Sequence, residues 1–443
     1  MPTLFEPIVD MLAGQPLFMM VGLLLLMMAI KVPIAVAMGM ASIAYLLVTG
    51  ANLRLVAQTT ISNLNSFTLL AIPFFVLAGE LMNASGVSER LIGLAQVFVG
   101  HVRGGLAHVN VVTSTLMAGM SGSAAADAAM TSRVLNPVMV KRGYSPEYAA
   151  AVTAASATIG PIIPPSIPMV LVGVVNELSV GRLFFGGVVP GLLMTGGMMV
   201  LIWFQAKRRG FEASPRATFP QIVTATRRAI LPMFAPVIIL GGMMGGLFTP
   251  TEAAVVAVVY MGGLGAFAYR TIGWAALNAA LLNTVSITAR IMFIVAMAGL
   301  FGWVLTAEQV VNRMGDFLGA NIGSGAMLLL WLNVLFLLLG CLLNLVTLVI
   351  LLSPVVFPLV YSFGIDPIHF GVVMVLNLMI GQLTPPVGLM SFVVLGVTGV
   401  DLAAFIRQVW PFMVVLVAVL MLITYVPELV LFVPDLLMGP RLG

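Results

Sequence analysis

The segment Gly160-Pro-Ile-Ile-Pro-Pro-Ser166 interrupts a hydrophobic run long enough to cross a bilayer, and Gly381-Gln-Leu-Thr-Pro-Pro-Val-Gly388 interrupts another. Proline inside a membrane helix removes a backbone donor and clashes with the preceding turn, so the freed carbonyls and amides there need partners other than the helix itself. The two segments are one motif written twice. Adding 221 to each number carries Pro137 onto Pro358, Gly143 onto Gly364, Pro146 onto Pro367, Gly160 onto Gly381 and Pro164-Pro165 onto Pro385-Pro386. One such break reads as a kink absorbed by packing. Two at a single offset, each flanked by glycine, point to a duplicated chain with broken helices, the arrangement that secondary transporters use to hold ions and substrate.

Composition sets the environment. Of the 443 residues 61% are hydrophobic and 8% charged, against roughly 25% charged in soluble domains. The runs Leu17 to Ile30 and Phe412 to Tyr425 are continuously apolar rather than alternating, which selects membrane helices over an outer-membrane barrel. We read one polytopic, all-α unit of roughly a dozen membrane segments. The net charge of +4 says little; its distribution says more. Lys141-Arg142, Lys207-Arg208-Arg209, Arg227-Arg228 and Arg270 are clustered and are assigned to the cytoplasm by the positive-inside rule. The acidic Glu6 and Asp10 precede the first apolar run, which reads as an outside N-terminus without a cleaved signal peptide. Cys341 is the only cysteine and the three histidines, His101, His108 and His369, are scattered, so no disulfide and no transition-metal set is expected. Nothing resembles a phosphate loop, a two-histidine zinc helix or a protease constellation. The chain is therefore read as neither an ATPase nor an enzyme, with no nucleic-acid partner.

Between the basic clusters the segments alternate across the bilayer. Spans are expected at about 17–30, 33–49, 67–84, 183–206, 229–248, 252–269 and 290–306. The stretches 88–107 and 271–289 are too polar for confident spans and read as interfacial. Around Ser121-Gly122-Ser123 and around Gly340-Cys-Leu-Leu-Asn344 two apolar arms meet, each short for a span of ~20 residues. They read as re-entrant hairpins. The first ends at Lys141-Arg142; the second ends at Tyr361-Ser-Phe-Gly-Ile-Asp-Pro367, which carries no basic residue, following Glu308, Arg313 and Asp316 on the outer side. The two copies thus enter from opposite faces, an inverted repeat, with halves at 64–182 and 285–400 and scaffold helices at 16–60, 183–270 and 403–433.

Half-helix ends carry the chemistry: the positive end favours an anion and free carbonyls favour a cation. Ser121, Ser123 and Ser166 supply hydroxyl oxygens in the first copy; Asn344, Thr347 and Thr384 supply amide and hydroxyl oxygens in the second. Neutral oxygen sets suit sodium, whereas calcium takes several carboxylates. Among ionisable residues in apolar surroundings, Asp127, near the first tip, is the functional candidate. Glu80, Arg133 and Arg290 lie in similar surroundings, and Glu252 begins a helix, where a carboxylate favours the dipole. The pairs Gly241/Gly245 and Gly242/Gly246 mark close helix packing.

Pro73-Phe-Phe-Val-Leu-Ala-Gly-Glu-Leu81, Ser121-Gly-Ser-Ala124 with Asp127, the break at 160–166, Phe248-Thr-Pro-Thr-Glu-Ala-Ala254 and Thr384-Pro-Pro-Val-Gly388 together resemble the large membrane subunit of tripartite ATP-independent periplasmic (TRAP) transporters, over nearly the whole chain. The resemblance implies an elevator-type fold in a bacterial inner membrane and sodium-coupled uptake of an organic acid. It also implies two partners: a small four-helix membrane subunit and a periplasmic substrate-binding protein. One sodium site is expected from Ser121, Gly122, Ser123, Gly160, Pro164 and Ser166, a second from Cys341, Asn344, Thr347, Gly381, Thr384 and Pro385. Substrate contacts are expected from Asp127, Pro165, Ser166, Pro386 and Gly388. Relatives often carry an acid where this chain has Asn344, a departure that bears on ion affinity. The rival readings are a stand-alone sodium/dicarboxylate symporter and a membrane assembly protein without transport activity.

Overall fold

The computed structural model describes residues 16–211, 213–310, 313, 323–385 and 388–439; Glu6, Asp10, Asp316 and Pro386 lie outside them. Every regular element among the described residues is helical. Eight helices are long and apolar enough to cross a membrane, and four shorter apolar ones join them. The chain is a multi-pass membrane protein.

The first helices are α1 (Pro16–Ala29) and α2 (Ile34–Val48), followed by α3 (Arg54–Leu64), α4 (Ala71–Ala84) and α5 (Val87–Val99). Helix α3 was not anticipated, because its polar Gln58, Thr59, Thr60, Ser62 and Asn63 hide the apolar pattern. Then come α6 (Gly105–Ser121) and α7 (Ala124–Lys141), joined by Gly122-Ser123 alone, and the interrupted pair α8 (Pro146–Ala157) and α9 (Ile167–Val175). Next are α10 (Val180–Arg209), α11 (Phe219–Met244), α12 (Pro250–Gly263) and α13 (Trp274–Ala307). The succession of α6 to α10 then recurs: α14 (Gly325–Leu342) and α15 (Leu345–Ser362) joined by Leu343-Asn344, the interrupted pair α16 (Pro367–Leu383) and α17 (Leu389–Thr398), and α18 (Leu402–Tyr425). Helix α19 (Glu428–Met438) follows.

One boundary differs in kind from the sequence reading. An interfacial stretch at 271–289 followed by a span at 290–306 is instead the single 34-residue helix α13. Its polar residues are scattered, Thr284 donates its hydroxyl to Ala280 O at 2.7 Å, and no glycine or proline occurs before Gly299. Nothing therefore stops helical propagation. At 1.5 Å per residue the helix is about 51 Å long, more than a ~30 Å hydrocarbon layer requires. Helix α5 is amphipathic as expected, burying Val87, Leu91, Ile92, Leu94 and Ala95 on one face.

Packing sorts the helices into two groups. In one, α13 lies against α2, α3 and α4, α4 against α12, α11 against α5 and α12, and α1 against α2. In the other, the interrupted helices are central: every residue of α16 is buried, as is all of α8 from Tyr148 onward. The alanines of α8 (Ala149–Ala151, Ala154, Ala155, Ala157) leave no bulk, so α7 and α18 close on it. Helices α10 and α18, which the sequence reading assigned to a scaffold, pack against α6, α8 and α16 and against each other. The groups meet where α5 and α4 touch α6 and where α13 touches α15. At one such point a Cβ added at Gly302 would lie 3.5 Å from Pro354 Cβ.

The basic clusters are linked in space. Tyr144, two residues past Arg142, has its ring 4.2 Å from that of Phe211, and Arg209 lies over the ring of Tyr148 at 4.6 Å. Tyr269 donates to Arg228 O at 3.2 Å. Helix α5 runs between these groups, with Arg90 over the Tyr269 ring at one end and Arg103 beside Lys207 just past the other.

Candidate functional site

Each interruption is made by residues that cannot continue a helix. Pro161, Pro164 and Pro165 lack amide hydrogens, and Ser166 restarts the chain as α9: its Oγ accepts from Met169 N at 3.2 Å while donating to Pro161 O at 2.5 Å. At the second interruption Thr384 leaves the helix with extended backbone, donating its hydroxyl to Ile380 O at 2.8 Å, and Gly388 starts α17. The tips are capped in the same way. Ser123 Oγ accepts from Ala126 N at 3.4 Å and Asn344 Oδ1 accepts from Val346 N at 2.9 Å, opening α7 and α15.

Tips and breaks touch. Gly122 has φ +56° and a Cβ there would lie 2.8 Å from Pro165 O, so both conformation and space require glycine. A Cβ at Gly160 would meet Ala124 Cα at 3.5 Å. Beside the second interruption the backbones of Gly340 and Gly381 abut, a Cβ on Gly381 falling 2.7 Å from Gly340 Cα, and Cys341 Sγ donates to Thr384 O at 3.2 Å.

Between the two tips lies a cavity of about 520 Å³. Its wall contains Ser123, Ala124 and Ala125 at the start of α7, Ile167 and Pro168 of α9, Asn344 to Thr347 of α15, and Leu389 and Met390 of α17. Four helix N-termini therefore open on one space. Helix α13 closes it with Ile287, Ile291, Ile294 and Arg290, and Gln382 and Met379 come from α16. Among the described residues no carboxylate lines it and Arg290 has no ion-pair partner. Four positive dipole ends and a guanidinium, lined mostly by apolar side chains, make a site for an anion.

Of the expected sodium ligands, Gly122, Ser123, Asn344 and Thr347 line this cavity. Gly160, Pro164 and Ser166 lie in the first break and Gly381, Thr384 and Pro385 at the second, and are not among the lining residues, although Pro161 of the first break and Gln382 beside the second are; Cys341 bridges to the second break. Ser121 ends α6. Of the expected substrate contacts, Pro165, Ser166, Gly388 and Asp127 are not among the lining residues, and Pro386 lies outside the described residues. Asp127 is 1% exposed and faces inward, its Oδ1 accepting from Thr131 Oγ1 at 3.1 Å. Beside it runs a buried polar chain: Ser114 to Ser156 at 3.1 Å, Ser156 to Asn110 at 2.9 Å, Asn110 to Thr153 at 2.7 Å and Thr153 to Asn136 at 2.7 Å. At the position 221 residues after Ser156, Asn377 donates to Asn333 Oδ1 at 2.6 Å, and Asn333 donates to Thr424 at 3.1 Å. The sequence reading noted Arg290 without a role and missed Gln382; the signal for Arg290 was a lone charge in an apolar run.

The profile of the family described as "Tripartite ATP-independent periplasmic transporter, DctM component" matches residues 21–429. The chain is 39% identical over 408 residues to the sialic acid TRAP transporter large permease protein SiaM of Vibrio cholerae, covering 92% of this chain and 96% of that one. It is 41% identical over 369 residues to the C4-dicarboxylate TRAP transporter large permease protein DctM of Pseudomonas aeruginosa, covering 83% and 86%. Among solved structures, the Alcanivorax borkumensis YdaH transporter superposes with a TM-score of 0.64 at 16% identity, covering 88% of this chain and 90% of that one, a likeness of fold. With a match across nearly its whole length, the chain belongs to the DctM family, the large permease components of TRAP transporters.

Proposed function

We propose that this permease imports an organic acid, with a carboxylate of the substrate held in the cavity between the two tips. The observation that carries the reading is the convergence of four helix N-termini and Arg290 on a space of about 520 Å³ that no carboxylate lines among the described residues. Arginine binds carboxylates through paired, charge-assisted hydrogen bonds, and the apolar remainder of the wall suits a carbon skeleton. Relatives named for sialic acid, C4-dicarboxylates and 2,3-diketo-L-gulonate fit this class.

Coupling is to sodium. The opposite, carbonyl-bearing ends of α6, α8, α14 and α16 point their dipoles' negative ends at the same tips and breaks, where Ser121, Gly122, Ser123, Gly160, Pro164 and Ser166 on one side and Cys341, Asn344, Thr347, Gly381, Thr384 and Pro385 on the other would hold one ion each. Bound sodium beside the cavity offsets the substrate's charge. The α6–α7 and α14–α15 pairs act as re-entrant hairpins of an inverted repeat. They move with the interrupted helices, α10 and α18 as an elevator against a frame of α1–α5 and α11–α13. This division follows the two packing groups rather than the scaffold at 183–270 and 403–433. The partners are a periplasmic substrate-binding protein, which delivers the acid, and a small four-helix membrane subunit, in a bacterial inner membrane.

Proteoliposomes holding the permease with its small subunit test the substrate class. Binding-protein-dependent uptake of a carboxylate should be saturable, and the amide of the same acid should neither be taken up nor compete. Equal uptake of acid and amide would remove the anion site from the account.

A further inference from the structure

A second cavity, larger than the central one and sharing no residue with it, lies where α5 meets the start of α11: about 990 Å³, lined by Arg90, Arg227 and Arg228 with Gln221, Thr224 and Tyr269. Glu89 also lines it, yet no carboxylate is within ion-pair distance of any of the three arginines among the described residues. The cleft also receives the first turn of α11, Pro220 and Gln221, whose dipole adds positive potential. Arg90 is fixed there, donating to Gly86 O at 2.5 Å and lying 3.6 Å over the Tyr269 ring. Three guanidiniums and a helix N-terminus facing one hollow form an anion site with donors suited to a phosphate group.

Its surroundings say which phosphate. Phe219, Phe267 and Trp274, at neighbouring helix ends, are strongly exposed, as aromatic side chains are at the headgroup level of a bilayer. Immediately beyond Arg228 on α11, Ile230, Leu231, Phe234 and Val237 present exposed apolar surface, which suits acyl chains. The cleft belongs to the face carrying the basic clusters, the cytoplasmic one by the positive-inside rule. We infer that this cleft binds the phosphate of an anionic phospholipid of the cytoplasmic leaflet, its headgroup between Arg90, Arg227 and Arg228 and its chains along α11. Basic pockets between membrane helices on that side recognise such headgroups.

Native mass spectrometry of the full-length chain released from nanodiscs of equal phosphatidylglycerol and phosphatidylcholine tests this. The parent should retain phosphatidylglycerol preferentially. The Arg227→Gln/Arg228→Gln variant, which leaves the packed Arg90 in place, should lose that preference by roughly thirtyfold if each arginine contributes as basic residues do at anionic surfaces. Lys141→Gln/Arg142→Gln, with the same loss of charge, should retain it. Excess inorganic phosphate should not displace the lipid; displacement by phosphate alone would make this a soluble-phosphate site and overturn the assignment. Equal retention of both lipids by the parent, or equal loss in the two variants, would also overturn it.

Discussion

The carbonyl oxygen of Pro165 lies 2.8 Å from where a Cβ of Gly122 would stand, so the tip between α6 and α7 is seated directly on the break between α8 and α9. Gly122 also holds φ +56°, a conformation costing roughly 1–2 kcal/mol for a residue with a Cβ. Gly122→Ala should therefore lower stability by more than that and abolish uptake. Gly143→Ala supplies the comparison, because Gly143 has φ +86° but nothing within 4 Å. It should carry the conformational cost alone and keep transport. Thermal unfolding in detergent and uptake by the two variants check this; equal behaviour would mean that the contact is immaterial.

Arg290 is the one charged side chain among the described residues on the wall of the central cavity. Hydrogen bonds to charged groups are worth roughly 1.5–3 kcal/mol, so Arg290→Gln should raise the substrate concentration for half-maximal uptake by about ten- to a hundredfold. Arg290→Lys, which keeps charge but loses the planar fork, should fall between. The measurement is initial uptake at saturating sodium with the binding protein in excess. A parental half-saturation in Arg290→Gln places the anion elsewhere.

Ser123→Ala and Asn344→Ala should each raise the sodium concentration for half-maximal uptake, by several-fold to about a hundredfold for a ligand worth roughly 1–3 kcal/mol. Both residues also cap helices, and losing a cap costs about 1 kcal/mol by itself. Ser145→Ala separates the two effects, since Ser145 caps α8 by accepting from Tyr148 N at 3.3 Å. It should lose stability without changing sodium dependence, as should Ser62→Ala and Thr49→Ala. Parental sodium curves in both tip variants would assign these residues to packing.

Gly302→Cys/Pro354→Cys in a Cys341→Ser background should form a disulfide, because the 3.5 Å between the two Cβ positions matches the geometry of one. The bond would tie α13 to α15 across the boundary between the packing groups. Oxidation should stop transport and reduction restore it, with assembly unchanged on size-exclusion chromatography. Full uptake in the completely oxidised protein would exclude relative movement of the two groups at this point.

The helical interruptions were legible in the sequence because they are written in rigid residues. Proline pairs and glycines at one offset mark the two interruptions, and a short joint holding a polar Ser123 or Asn344 between apolar arms marks each tip. The site itself was less so. That Ala124, Ile167, Leu345 and Leu389 begin four helices that share one cavity depends on tertiary packing, and none of these side chains advertises a ligand. Arg290 reaches the cavity only because 274–307 is one helix, whereas polarity alone suggested two segments. Asp127, a charge near a tip read as a substrate contact, accepts from Thr131 and is not among the residues lining the cavity. The membership of α10 and α18 was likewise hidden, because flanking position in the chain does not reveal that the small side chains of α8 admit α18 so closely.

Import of an acid through the central cavity is proposed to be driven by sodium and to depend on the binding protein. Initial-rate uptake of radiolabelled carboxylate into proteoliposomes free of nucleotide, with the small subunit present, tests it most directly. An inward sodium gradient with the binding protein should drive accumulation. Removing the protein, collapsing the gradient, or replacing sodium by potassium should each abolish it. Undiminished accumulation with potassium, or without the binding protein, would contradict the account.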